Sequence, residues 1–271
     1  MAIITISRQA GSLGDEIARE AARTLGYDFI EKVQISEILS RLGFSTSEID
    51  RLDEKKPSIW QTLTIQKELF ANYIKAAVYE LATRKNVVIV GRGGQVILKD
   101  IPGVLHVRII APYGLRVQRL MEQRGYKDDD AKRMLRQRDR DSSGYLNTYF
   151  DANSSDSDLY DLVLNTRVLT MEKCVETIAC AVAEDAIKDG PPTSELLYDL
   201  ALKYKAKAAI LKVNGGGDII NLELTNGVAT LSGLVESSAA KNDCQRVLLE
   251  IQGIKSVNND LGVRSGDGRI L

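Results

Sequence analysis

The stretch SRQAGSLGDEIARE, Ser7 to Glu20, decides how the chain is read. Before it stands AIITI, Ala2 to Ile6, a short run rich in β-branched residues of the kind that forms strands. After it, Ile17, Ala18, Ala21, Ala22 and Leu25 recur at i, i+1, i+4, i+5 and i+8, which is one apolar face of a helix. Gly26 then falls where a helix C-cap glycine belongs. Strand, small-residue loop and helix follow one another from the third residue. That order aims backbone N–H groups from a helix N-terminus, where the peptide dipoles favour an anion, and phosphate is the first expectation.

The loop departs from the Walker A pattern GxxxxGK[ST], in which a lysine reaches the β- and γ-phosphates and a hydroxyl reaches Mg²⁺. With Gly11-Ser12 and Ile17-Ala18 aligned on that pattern, Gly14 occupies the lysine position and Glu16 the Ser/Thr position. A cation is missing and a carboxylate is added. Taken alone, the stretch fits a plain strand-to-helix turn as well as it fits a phosphate loop, so the rest of the chain has to decide.

A chain of 271 residues accommodates one large or two modest domains, each with its own core. An apolar fraction of 44% and a charged fraction of 27% are ordinary for a globular protein. A net charge of −1 excludes a general nucleic-acid binder, which needs a basic excess to neutralise phosphates. MAIITISRQ has no basic segment leading into a long apolar core, and no apolar run reaches the length of a membrane span, so the expected location is the cytoplasm. Cys174, Cys180 and Cys244 are scattered and read as small packing residues in a reducing compartment. With one histidine and no close cysteine pair, no metal site is expected.

Outward from the first loop, Tyr27 to Ile30 reads as a second strand and Val33 to Arg41 as a helix. Ser45 to Pro57 is charged and without period, a loop or a short helix, and Ile59 to Thr83 is helical. Val87 to Val90 is a continuous apolar run, as in a strand buried on both faces, and Gly91-Arg92-Gly93-Gly94 follows at its carboxyl end, where open α/β sheets bind ligands. Val104 to Ile110 is another strand, with His106 as a packing residue inside it. Leu115 to Arg140 is a basic helical region, its second helix starting at Asp128-Asp129-Asp130. In RQRDRD, Arg136 to Asp141, arginines at every second position repel one another unless an anion or the interleaved carboxylates offset them. Tyr160 to Thr166 is the last strand of the region and a helix follows. The alternation from Ile3 to about Ala186 predicts a parallel sheet with helices on both faces. Gly190-Pro191-Pro192 marks the domain boundary.

Taken together, ITISRQAGSLGDEIA, VVIVGRGGQVIL, RIIAPYGLRVQRLMEQRGY, RQRDRDSSGYLNTYF and YDLVLNT make residues 1 to 188 resemble the cytidylate-kinase-like branch of the P-loop nucleoside monophosphate kinases. The resemblance implies a three-layer α/β fold with a five-stranded parallel sheet, a phosphate loop, an acceptor region and an arginine-bearing lid that closes over ATP. It implies ATP and Mg²⁺ as cofactors and nucleotides as substrates. Gly11, Ser12, Leu13, Gly14, Asp15 and Glu16 fall in the ATP phosphate-binding loop. Arg92 matches the arginine of a GRD motif that contacts the acceptor nucleotide, with Gly93 in place of the aspartate, and Asp139 falls on the acceptor side. Arg136, Arg138 and Arg140 map onto the lid, in a register defined to within a residue or two. Arg8, on the same loop as Gly14, is the residue to supply the missing charge; Arg8→Ala is then expected to lower ATP affinity and Gly14→Lys to restore part of it.

From Ser194 the pattern changes. Glu195 to Ile210 reads as a helix and Gly215-Gly216-Gly217 as a break. Ile220 to Val235 reads as a hairpin through the two-residue turn Asn226-Gly227. That turn pairs Leu224 with Ala229 and Leu222 with Leu231, all four on one face. A helix with Ala240, Cys244, Val247, Leu248 and Ile251 on one face and a closing strand, Ile254 to Val263, complete an αββαβ order. NGVATLSGLVESSAAKNDCQRVLLEIQGIKSVNNDLGV closely resembles a BON domain, here residues 194–265, after a linker at 189–193 and before a tail at 266–271. The resemblance implies a module that binds a small ligand or lipid. The alternative is packing on the first domain or on another copy of itself. Three readings of the whole stay open: a nucleoside monophosphate kinase for CMP or dCMP, a degenerate nucleotide-binding regulator, and a kinase for another small metabolite.

Overall fold

The computed structural model describes residues 2–42, 44, 64–185, 187, 191–216 and 219–264. The segment 45–57, expected to be loop or short helix, lies outside them. The chain divides into two compact units, one of residues 1–58 and 84–193, the other of residues 59–83 and 194–271.

The first unit is a five-stranded sheet in the order β2-β3-β1-β4-β5. Its strands are β1 (Ile3–Arg8), β2 (Asp28–Ile30), β3 (Val87–Val90), β4 (Val104–Ile110) and β5 (Leu162–Asn165), every pairing parallel. β1 is central because its first four residues are buried. Ile4 and Ile6 join one core with Ile17, Ala18, Ala21 and Ala22 of α1 (Gly14–Leu25) and Cys174, Val175 and Ile178 of α7 (Met171–Val182). Thr5 and Ser7 leave the opposite face, since alternate residues of a strand do. Each aliphatic side chain buried this way contributes about 1.5–3 kcal/mol. Gly26 ends α1 at φ 68°, the left-handed cap its position predicts.

The helices α2 (Lys32–Arg41), α4 (Gly94–Ile97), α5 (Tyr113–Arg124) and α6 (Asp128–Phe150) complete this unit, α3 (Thr64–Ala82) belonging to the other. The basic region is thus two helices, the second starting at Asp128 as expected and running 23 residues. His106 packs inside β4, its Nδ1 2.7 Å from Thr5 Oγ1, and burial pushes its pKa below the ordinary value. The chain passes from β3 on one side of β1 to β4 on the other, so the carboxyl ends of β1, β3 and β4 border the topological switch point, where ligands of such sheets bind.

The second unit holds a three-stranded sheet, β6-β7-β8. β6 (Ile219–Thr225) and β7 (Val228–Val235) are antiparallel about Asn226 and Gly227, both at positive φ, and pair Leu224 with Ala229 and Leu222 with Leu231, the register the turn dictates. β8 (Ser256–Val263) runs parallel to β7. One face is covered by α9 (Ser238–Leu249), through Cys244 and Leu248, and also by Leu202, Ala206 and Ile210 of α8 (Pro191–Asn214). Two features differ from expectation. Pro191 and Pro192, placed in the linker at 189–193, begin α8 instead, because the first turn of a helix does not use their missing N–H groups. The helix α3, which precedes β3 in the chain, packs in this unit, where Tyr79 stacks on Tyr204 of α8 at 5.6 Å and Glu80 pairs with Lys205. Among the described residues no helix is long and apolar enough to cross a membrane.

Candidate phosphate-binding cleft

The loop after β1 is held by its carbonyls. Arg116 Nη1 donates to Ala10 O (3.2 Å), Arg119 Nη1 to Gly11 O (3.3 Å) and Thr166 Oγ1 to Ser12 O (2.9 Å). Arg119 also donates to Thr166 Oγ1 and O, so α5 and the end of β5 lock the loop together. Gly11, at φ 75°, has no room for a side chain: a Cβ there would stand 3.0 Å from Arg116 O. Leu13 is left-handed as well, at φ 66°, and caps α1 without a side-chain hydrogen bond. Among the described residues nothing accepts from the N–H groups of Leu13, Gly14, Asp15 and Glu16. With the carbonyls engaged on one side, these four donors stand open at a helix N-terminus, where the peptide dipoles favour an anion.

Arg8 and Gly14 explain one another. Arg8 ends β1, its side chain crosses Gly14, and its Nε donates to Asp15 Oδ1 at 2.7 Å. Any Cβ at position 14 would overlap Arg8 Cβ and come within 2.8 Å of Cγ. The Cβ and Cγ of the side chain entering from the strand therefore exclude the motif lysine from the helix. The expected rescue by Gly14→Lys fails on this geometry, since Arg8→Ala keeps the Cβ that collides.

These residues border a cleft of about 1330 Å³, lined among the described residues by eight basic and six acidic side chains. Arg8, Asp15, Glu16, Arg92, Arg138 and Asp139 all line it. Arg92 is only 6% exposed and stands at φ 56° between Gly91 (φ 70°) and Gly93 (φ 73°). A Cβ on Gly93 would lie 2.7 Å from the ring of Phe150, at the end of α6, so an aspartate of a GRD motif does not fit there without moving that ring. Asp139 is held bidentately by Arg116 at 2.9 and 3.0 Å, a pair that ties α6 to the loop carbonyl of Ala10. Arg136 and Arg140 lie off this cleft lining, Arg136 Nη1 3.5 Å from Tyr113 Oη and Arg140 Nη2 donating to Gln137 Oε1 at 3.1 Å.

Sequence reading missed Arg116, Arg119 and Thr166, which shape the loop, and Arg108, which lines the cleft from β4. The first three lie far from the loop in the chain, and no local pattern links them to it. Arg108 carried a signal, a lone cation near the carboxyl end of an apolar strand.

For magnesium, the Ser12 hydroxyl is not available: it is fully buried and donates to Ile109 O at 3.2 Å. Glu16 faces the cleft instead. Among the described residues no cluster of three or more His, Cys, Asp or Glu could hold a metal ion unaided, so an ion here would need oxygens from the nucleotide as well.

A parallel sheet in this order, with an open helix N-terminus after its central strand, defines an α/β fold of the P-loop kinase type. The chain belongs to the cytidylate kinase-like family, whose sequence profile matches residues 3–168. A cytidylate kinase of Pyrobaculum islandicum is 25% identical over 177 residues, 65% of this chain and 89% of that enzyme. A uronate isomerase of Corynebacterium glutamicum is 32% identical over 91 residues, 34% of this chain and 18% of that enzyme, so the chain spans under a fifth of it. The crystal structure of an uncharacterized protein from Eubacterium ventriosum superposes with a TM-score of 0.54 at 23% identity, covering 67% of this chain and 97% of that one, a likeness of fold.

Proposed function

We propose that the first unit transfers the terminal phosphoryl group of ATP to a nucleoside monophosphate, CMP or dCMP before others. The observation that carries this is the set of four open N–H donors at Leu13 to Glu16, with Arg8 lying across Gly14. This nest of donors receives the ATP phosphates and Arg8 stands where a Walker lysine would act. Arg92 holds the acceptor and Arg138 approaches from α6, which closes as a lid. Phosphoryl transfer is chiefly positioning and charge stabilisation, so converging arginines suffice for much of it. Glu16 would hold Mg²⁺, which would supply further charge neutralisation.

In this reading residues 194–265 are a BON-like module that senses a ligand, tethers the enzyme or assembles copies of it, and the protein works in the cytoplasm. The αββαβ order supports that reading. The test is ADP release measured across the nucleoside monophosphates. Turnover with CMP or dCMP is the expected result. The rival reading, a nucleotide-binding regulator, draws on Gly14 and Glu16 at the lysine and hydroxyl positions; ATP binding without turnover on any acceptor would favour it.

A further inference from the structure

Arg108 is a cation of the cleft that neither the loop nor the lid accounts for. It pairs with Ser7 in the parallel register of β4 and β1, so both side chains leave the same face of the sheet. It is half-buried, and its Nη1 donates to Tyr160 Oη at 2.8 Å while its guanidinium carbon lies 5.2 Å from the centre of that ring. Tyr160 Oη donates in turn to Ser154 O at 3.1 Å and stands 3.4 Å from Ser7 Oγ. Among the described residues no carboxylate pairs with Arg108. The remaining donors of this guanidinium match two oxygens of one anion. Tyr160 takes one donor and fixes the plane of the group.

Arg92 approaches from the other side. β3 and β4 flank β1, and Ile6 pairs with both Val90 and Val107, so Arg92 and Arg108 bracket the carboxyl end of β1. Two strand spacings separate β3 from β4, about 10 Å, a gap that arginine side chains close from both sides.

We propose that Arg108, oriented by Tyr160, binds the phosphate monoester of the acceptor together with Arg92, with Ser7 Oγ as a further donor. This rests on the phosphoryl-transfer reading. Calorimetry with CMP, cytidine and ATP on the full chain tests it. Arg108→Gln should weaken CMP at least about tenfold, the loss of a charge-assisted contact, with ATP and cytidine changed less than about twofold. Arg108→Lys should restore part of the loss, and Tyr160→Phe should raise KM for CMP a few-fold with kcat nearly constant. Unchanged CMP affinity in Arg108→Gln, or an equal loss of ATP affinity, overturns the assignment. If the wild-type protein binds ATP and no monophosphate, the choice of acceptor fails, and inorganic phosphate decides the site. The Nε–H resonance of Arg108, identified by its loss in Arg108→Gln, should then move on phosphate addition; an unmoved resonance overturns the proposal.

Discussion

Two glycine turns, one after β1 and one after β3, look alike in sequence and present opposite things to the cleft. Both leave the carboxyl end of a buried strand and both force a non-glycine residue, Leu13 or Arg92, into the left-handed region. In the second turn four backbone donors are taken: Gly91 N–H goes to Ile6 O, Gly94 N–H to Gly91 O, and the N–H groups of Val96 and Ile97 to Gly93 O, which leaves those of Gly93 and Gln95 without an acceptor among the described residues. Its helix has only four residues. What it offers is the Arg92 side chain, on a backbone conformation that costs about 1–2 kcal/mol. The first turn opens a helix of twelve residues and offers bare N–H groups. The first turn has four consecutive open donors at the head of a long helix, while the second has a four-residue helix and a buried arginine side chain.

The strongest way to break the comparison is Gly14→Ala. The new Cβ collides with Arg8, so the start of α1 must shift away from β1. A displacement near 1 Å in such a site costs on the order of a hundredfold. ATP affinity should fall by about that factor in calorimetry, while CMP affinity falls far less. ATP binding within twofold of the parent would show that the nest does not depend on this packing.

The second turn should answer differently. Gly93→Ala places a side chain at φ 73° and against the Phe150 ring. Stability in a denaturant titration should drop by about 2–3 kcal/mol, from left-handed strain and overpacking together. Monophosphate binding should weaken and ATP binding should hold. Equal losses of both ligands would make the two turns one site.

The smallest effect should touch both turns alike. His106 bonds to Thr5 beneath them, and burial lowers its pKa below its unfolded value of about 6.5. The unfolded chain therefore binds the proton first. Stability is complete above about pH 6.5 and declines as pH falls toward the lower folded-state value, by at most about 1.4 kcal/mol per pH unit. His106→Asn should flatten that slope in denaturation curves taken between pH 7 and 5. A slope unchanged by the substitution would assign the acid sensitivity to other groups.

Much of this was legible in residues close together in the chain. The strand, loop and helix around Ser7 to Glu20, the buried run before Gly91 and the Asn226-Gly227 hairpin register all follow from period and turn chemistry, which act over a few residues. The family resemblance of the first region was legible for the same reason. The lid arginines were less so. RQRDRD shows a density of charge, yet which of its arginines meets the cleft depends on how α6 is rotated, and Arg138 and Asp139 line it while Arg136 and Arg140 do not.

By itself, then, the sequence determined the order of elements, the parallel sheet, the strand-loop-helix turn after β1 and the loss of the motif lysine, because each is written in local spacing. Tertiary structure alone decided why that lysine is absent, since Arg8 lies across Gly14 only once β1 and α1 are packed. It decided that Thr166, Arg116 and Arg119 hold the loop carbonyls and that Arg108 lines the cleft, pairings that span up to 154 positions. It also decided that α3 packs with α8 rather than with its neighbours in the chain. Hydrogen bonds and close packing depend on distance in space, and over such separations the order of residues carries no measure of it.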